Sequence, residues 1–206
     1  MRSISNNLAA TSPAVAALSP SVAMSDGRPE DADERRWAMD AASGSLAAFD
    51  RIARAYQAPL MRFLNRRMAN PADAEDVLQE TFVCAFRKIG KYDPRWRLSG
   101  WLFAIAVRQA ATHHRRLRIA DGAPVYDRAS DDPGPDAMAV VQDEHRNLWA
   151  IARRNLRPDQ FDVLWLYYVE QLPMPDLARA LGRSRLTTKV LLHRARQRLA
   201  KYLSDV

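Results

Sequence analysis

This 206-residue chain holds a single cysteine, Cys84, so no internal disulfide can form, and no Cys/His cluster has the spacing of a zinc site. These absences exclude a disulfide scaffold and point to a reducing compartment. Cys84 falls inside an amphipathic helical pattern and reads as a packing residue. Glycine is scarce, with seven residues, and none of them build a phosphate-cradling loop. No apolar run reaches the ~18 to 20 residues that span a bilayer. The stretch Ala14 to Leu18 imitates a signal peptide, but it is short and broken by Pro13 and Pro20, so neither secretion nor membrane insertion is expected. No segment alternates in the manner of a strand and no internal repeat is visible. The expected fold class is therefore all-α.

What is present in excess is positive charge. The formal net charge is +7, which favours a polyanionic partner because each Lys or Arg facing a phosphate can release a counterion. Residues 1–40 are rich in Ser, Ala, Pro, Asp and Arg without periodicity and read as a disordered tail, within which Met24 is an alternative start. Residues 41–118 read as a first small helical domain, 119–139 as a flexible linker and 140–206 as a second helical domain. In the first, Leu46, Phe49, Ile52, Ala53, Tyr56, Leu60 and Phe63 recur at helical spacing, with Pro59 expected to kink or divide the helix. Asn70-Pro71 is a restart signal, an N-cap followed by proline at the first helical position. Ala74, Leu78, Phe82, Ala85 and Ile89 then form a core stripe, and a further helix from about Ser99 to Arg116 turns Leu102, Ile105, Ala106 and Gln109 inward. Asp121-Gly122-Ala123-Pro124 and Asp131-Asp132-Pro133-Gly134-Pro135 mark the linker.

Three constellations stand out. On the helix after Asn70, the side chains of Asp73, Asp76 and Glu80 lie opposite the core stripe. Acidic residues in a first turn also complement the helix dipole, and for this face alone that plain explanation carries more weight than a docking role. From Lys91 to Arg116, the aromatic residues Tyr92, Trp96 and Trp101 are interleaved with Arg95, Arg97, Arg108, Arg115 and Arg116. Rings stack unpaired bases and cations follow phosphates, which is what single-stranded nucleic acid requires. Trp101, Arg108, Thr112 and Arg115 are expected on one outer face. Taken alone Trp101 reads as a core plug, whereas the cluster as a whole reads as a nucleic-acid surface. His113-His114 point about 100° apart and cannot easily share a metal ion, so they are expected in solvent or against phosphate, and no metal or cofactor is expected.

The third constellation is a helix-turn-helix. Pro158 opens a helix with Phe161, Leu164, Trp165 and Tyr168 on a core face, and Leu177, Ala178 and Leu181 continue the core. Gly182 permits the turn and Ser184 caps the next helix. On that helix Thr188, Leu191, Leu192, Ala195 and Leu199 face inward, and Leu186, Lys189, Val190, His193 and Gln197 face outward. Lys189, Arg194, Arg196 and Arg198 suit phosphate contacts, and Leu186 and Val190 suit thymine methyls in a major groove.

In their order and separation these stretches make the chain similar to bacterial RNA polymerase sigma factors of the extracytoplasmic-function type, over roughly residues 45 to 202. The resemblance rests on Asp73-Ala74-Glu75-Asp76-Val77-Leu78-Gln79-Glu80-Thr81-Phe82, on Trp101-Leu102-Phe103-Ala104-Ile105-Ala106, and on Leu181-Gly182 through His193-Arg194-Ala195-Arg196. It implies that Asp73, Asp76, Gln79 and Glu80 dock on the clamp helices of the largest polymerase subunit. It implies that Tyr92, Trp96, Arg97, Trp101, Arg108, Thr112, Arg115 and Arg116 help melt the promoter and hold an unpaired base. The helix carrying Ser184, Arg185, Leu186, Thr187, Lys189, Val190, His193, Arg194 and Arg196 would read the distant promoter element as duplex, with its domain at the flap of the second-largest subunit. Core RNA polymerase, promoter DNA and an inhibitory anti-sigma protein are the implied partners, in the cytoplasm at the nucleoid. The chain departs from the family's pattern at Arg108, where Asn is usual, at Thr112, where Asp is usual, and through Leu186-Thr187-Thr188-Lys189-Val190-Leu191, positions that lie near the DNA-reading surfaces and bear on promoter preference.

Two other readings remain open to test. A stand-alone helix-turn-helix regulator would bind duplex DNA without polymerase and dimerise on palindromic sites, and no dimerisation heptad is visible. An enzyme acting on nucleic acid needs a metal-binding carboxylate cluster or an activated nucleophile, and neither is visible, so no catalysis is expected.

Overall fold

The computed structural model describes residues 31–120 and 143–204, and every regular element among the described residues is helical. The N-terminal half contains α1 (Asp31–Ala42), α2 (Leu46–Arg67), α3 (Pro71–Lys88), a 3-10 turn (Ile89–Lys91) and α4 (Leu98–Ala120). The C-terminal half contains α5 (Asp143–Asn155), α6 (Pro158–Tyr168), α7 (Met174–Ala180) and α8 (Arg185–Ser204). The all-α expectation holds. The proposed linker lies almost wholly outside the described residues, as do residues 1–30 of the proposed tail.

Helix α1 occupies the last part of the segment read as tail. Its core side is small and partly polar: Ala38 and Ala41 are buried, and buried Glu34 accepts a hydrogen bond from the Tyr56 hydroxyl. Gly44, at φ 100°, makes the turn into α2, a conformation that side chains with a Cβ rarely adopt. Ser45 then caps α2, its Oγ accepting from the Ala48 amide at 3.2 Å. Leu46, the first residue of α2, is exposed rather than inward, because the core stripe begins two residues later at Ala48 and continues at Ile52. The helix runs through Pro59, which is itself buried, instead of dividing there.

Helix α3 begins as its sequence requires, with Asn70 Oδ1 accepting from the Ala72 amide at 3.0 Å and Pro71 at the first helical position. The expected stripe is inward, joined by Val77 and by Thr81, whose hydroxyl donates to the Val77 carbonyl at 2.7 Å and so needs no other partner. Helix α4 is buried all round its first turns: Trp101, Leu102, Phe103, Ala104, Ile105 and Ala106 are all inside. A helix apolar on every side must be covered on every side. Helices α1, α2 and α3 cover part of it, and the rest is covered by α7 from the other half.

The two halves therefore touch. Phe63 on α2 meets Phe161 and Trp165 on α6 at ring separations of 6.4 Å and 6.0 Å. Trp149 on α5 completes the cluster, 4.7 Å from Trp165. Beside it, Arg67 Nε donates to Asp162 Oδ1 at 2.7 Å, with both side chains buried. Arg153 donates to the Met68 carbonyl at 3.3 Å. The two helical units expected from the sequence are packed on one continuous core.

In the C-terminal half, Gln160 Oε1 accepts from the Arg157 amide at 3.1 Å at the start of α6. Gly182, at φ 63°, ends α7, and the Arg183 amide bonds back to the Ala178 carbonyl at 2.9 Å. Ser184 Oγ accepts from the Thr187 amide at 3.1 Å, so the predicted turn and cap are both in place. Replacing Ser184 with Ala should cost about 1 kcal/mol of stability, read as a lower denaturant midpoint with unchanged slope.

Candidate nucleic-acid interface

The acidic row on α3 divides in two. Asp76 and Gln79 are exposed and point away from the rest of the fold. Asp73 and Glu80, seven residues apart and so stacked two turns apart on one side, lean toward α4. Asp73 Oδ1 lies 3.3 Å from His113 Nε2, and Glu80 Oε1 lies 3.1 Å from Arg116 Nη1. Of the expected docking face, Glu80 thus pairs within the chain and Asp73 lies against His113. His113 faces a carboxylate and is mostly buried, contrary to the expected solvent or phosphate setting. No group of three or more His, Cys, Asp or Glu residues suited to a metal is found among the described residues.

The expected single-strand surface also divides, by residue type. Arg97, Arg108 and Arg115 are exposed, as is Arg116 despite its pairing with Glu80, and Thr112 is half-buried. The rings are not exposed. Tyr92 and Trp101 are buried, edge-on at 5.5 Å, and Trp96 is half-buried. Trp101 was expected on the outer face with Arg108 and Thr112, yet only 8% of it is accessible. Helical spacing places Trp101 opposite one covered side of α4, and α7 covers a second side. The contact is close: a Cβ on Gly100 would lie 3.3 Å from the Asp176 Cβ of α7 and 2.6 Å from Trp96 Nε1. Only glycine fits there.

Burial pushes the Tyr92 phenol up to about 12, the negative charge of Glu34 and Asp176 adding to the effect and Arg35 opposing it. The Tyr92 hydroxyl donates to the Trp96 carbonyl, which pins the loop. Neighbouring Asp93 is held below the usual carboxylate range by the hydrogen bonds of Arg95, so Arg95 is engaged at the loop tip. The phenol bears on stability at high pH. Below pH 10 it is neutral in both states. Between 10 and about 12 the unfolded chain gives up this proton and the folded chain keeps it, so stability falls across that window. Tyr92→Phe should flatten the alkaline decline by up to about 2 kcal/mol, measured by denaturant titration at a series of pH values.

The recognition helix matches its expected pattern closely. Thr188, Leu192, Ala195 and Leu199 are buried and Leu191 is half-buried. Leu186, Lys189, Val190, His193, Arg194 and Gln197 are exposed, with Leu186 at 73% and Val190 at 41%. Ser184, Arg185 and Thr187 sit at the exposed start, where the Ser184 and Thr187 hydroxyls lie 2.8 Å apart. Leu186 and Val190 stand open amid Lys189, His193 and Arg194, an arrangement that suits a groove with thymine methyls. Arg196 differs. Its guanidinium stacks over Tyr167 and Tyr168 at 5.1 Å and 5.3 Å, so it braces α8 against α6. Burial pushes the Tyr168 phenol up, with Arg196 opposing. Arg183, which sequence reasoning passed over, ties the turn to α6 through Asp159 at 2.8 Å.

The family described as Sigma-70 region 2 matches residues 52–119, and Sigma-70, region 4 matches residues 154–199. The chain is 30% identical to the ECF RNA polymerase sigma factor BldN of Streptomyces coelicolor over 80% of its own length, and spans 64% of that protein. It is 30% identical to an RNA polymerase sigma-E factor of Streptomyces avermitilis, over 80% of this chain and 89% of that one. In fold it is similar to CnrH, solved in complex with the cytosolic domain of CnrY, with a TM-score of 0.63, 24% identity, and coverage of 84% of this chain and 98% of the other. The helices, the two matched regions in this order and the near-complete overlap with the sigma-E relative establish that the chain belongs to the RNA polymerase sigma factors of the extracytoplasmic-function type.

Proposed function

We propose that this chain binds core RNA polymerase and directs promoter-specific transcription initiation, supplying no catalytic group of its own. The observation that carries the reading is the coexistence, in one chain, of Asp76 and Gln79 exposed on α3, a cationic α4 with Trp101 in its first turn and Tyr92 and Trp96 in the loop before it, and a recognition helix with Leu186, Lys189, Val190 and His193 presented outward. Asp76 and Gln79 make first contact with the clamp helices of the largest subunit, and Asp73 and Glu80 join by exchanging their partners on α4. Arg97, Arg108 and Arg115 follow the phosphates of the melted strand, while Tyr92, Trp96 and Trp101 supply stacking surface for an unpaired base. Helix α8 sits in the groove of the upstream element, with its domain at the flap of the second-largest subunit. The chain works in the cytoplasm, at the nucleoid. CnrH is solved with CnrY, and a sigma factor of Bartonella quintana is solved with the anti-sigma factor NepR; by the same fold this chain takes a comparable inhibitory partner.

Run-off transcription with core polymerase across a promoter library tests this directly. Products should appear only when this protein and core polymerase are both present. Tight, sequence-specific duplex binding by the protein alone, with no product at any promoter, would instead favour the stand-alone regulator.

A further inference from the structure

A charged cluster lies at the leading end of the recognition helix. Arg183 stands one position before the Ser184 cap, and its amide, bonded to the Ala178 carbonyl at 2.9 Å, fixes its backbone at the turn. Its side chain runs back to the first turn of α6, where Nη2 donates to Asp159 Oδ2 at 2.8 Å. Asp159 has a second arginine close by. Arg157 Nε lies 3.7 Å from Oδ1, within ion-pair range but too long for a hydrogen bond. Arg183, Ser184, Arg185, Leu186 and Thr187 are all exposed, so Arg183 is continuous with the outward row of α8. An α-helix about 10 to 12 Å across fills a major groove about 12 Å wide, so the residues at its leading end meet the phosphates that line the groove. We propose that Arg183 is a further duplex-contact residue and that Asp159 restrains it. Arg183 pairs with this carboxylate in the free chain and passes to a DNA phosphate when α8 enters the groove. The role rests on the reading of α8 as a duplex-binding helix.

The pair is suited to exchange. Water reaches both members, with 39% of the Arg183 side chain and 26% of the Asp159 side chain accessible, and an ion pair in that setting contributes little stability. Asp159 engages one end of the guanidinium, whereas a phosphate can take two parallel N–H donors of the fork. Asp159 is not stranded once Arg183 has left. Arg157 remains within ion-pair distance, and the start of α6 favours a negative charge in its first turn. Two arginines around one carboxylate leave this corner with a net positive charge, which suits a phosphate rather than a base edge. The contact therefore adds affinity without adding sequence information, and Asp159 holds that affinity down by competing for Arg183.

The test is anisotropy of a fluorescein-labelled, random-sequence duplex titrated with the full chain at a series of salt concentrations. A phosphate contact is blind to sequence, so this probe reports it without knowledge of the promoter. Arg183→Gln should lower the slope of log affinity against log salt by about 0.9 and weaken binding roughly fivefold near physiological salt. Arg183→Lys should keep the slope, because the charge stays. Asp159→Asn should tighten binding several-fold. In the Arg183→Gln background that gain should shrink to the plain effect of removing one negative charge, and the double-mutant cycle measures the difference. A purely structural tie would lower the unfolding midpoint in both single variants and leave the salt slope alone. Lys189→Gln serves as the reference for a phosphate contact on α8. If Lys189→Gln lowers the slope and Arg183→Gln does not, Arg183 is only a brace and the proposal is overturned. An equal gain from Asp159→Asn in both backgrounds overturns the restraint by Asp159. If neither Lys189→Gln nor Arg183→Gln alters binding, or the wild type holds no duplex even at low salt, the duplex reading of α8 falls and this role falls with it.

Discussion

Asp76→Lys together with Gln79→Lys should abolish co-purification with core polymerase while leaving helix content and thermal midpoint near those of the wild type. Both side chains are exposed on α3, and surface substitutions away from packing usually shift stability by less than about 0.5 kcal/mol. Like charges set against each other across an interface cost several kcal/mol of association, so the reversal should remove the contact if the polymerase surface that meets α3 is basic. The same reversal at Asp73 or Glu80 would be ambiguous. Glu80 pairs with Arg116 at 3.1 Å and Asp73 lies 3.3 Å from His113, so a lysine at either position would disturb a contact within the fold. Comparing the two double variants separates docking from internal pairing. Retention of full polymerase binding by the Asp76 and Gln79 variant would remove α3 from the docking surface.

That distinction between the two pairs of α3 residues marks what a sequence can and cannot disclose. Helical spacing puts Asp73, Asp76 and Glu80 opposite the core, and the structure agrees for Asp76. It carries no information on how wide the neighbouring helix is or which of its residues reach across, so the pairing of Glu80 with Arg116, 36 positions away, is invisible. The helix-turn-helix was far more legible because its determinants are local: Gly182, the Ser184 cap and the 3.6-residue alternation of Thr188, Leu192, Ala195 and Leu199 all lie within one short stretch. Helix α1 was illegible for the opposite reason. Its inward side is Ala38, Ala41 and the carboxylate of Glu34, which together look like a polar tail until Tyr56 supplies the partner. Trp101 shows the same limit at larger scale. The plain alternative for this residue alone, a core plug, describes its position. Nothing within twenty residues of Trp101 announces that α7, from the far side of the linker, covers that end of α4.

The residue on which the long-range contacts converge is Phe63, and its truncation has the largest expected effect on stability. The ring meets Phe103 of α4 at 5.7 Å, edge to face, which belongs to the core of its own half. It also meets Phe161 and Trp165 of the other half. Phe63→Ala therefore opens a cavity shared by both units, one that neither can close by relaxing alone. A fully buried Phe→Ala change costs about 3 to 5 kcal/mol, and the upper part of that range is expected here because three ring contacts are lost at once. Arg67→Asp disturbs only the contact between halves, so its cost should fall on that contact and leave the N-terminal bundle intact. Calorimetry distinguishes them. Phe63→Ala should lower the unfolding temperature of the N-terminal helices themselves, whereas Arg67→Asp should uncouple the halves without that loss. A Phe63→Ala chain that unfolds within about 1 kcal/mol of the wild type would mean that the ring is not the joint between the two bundles.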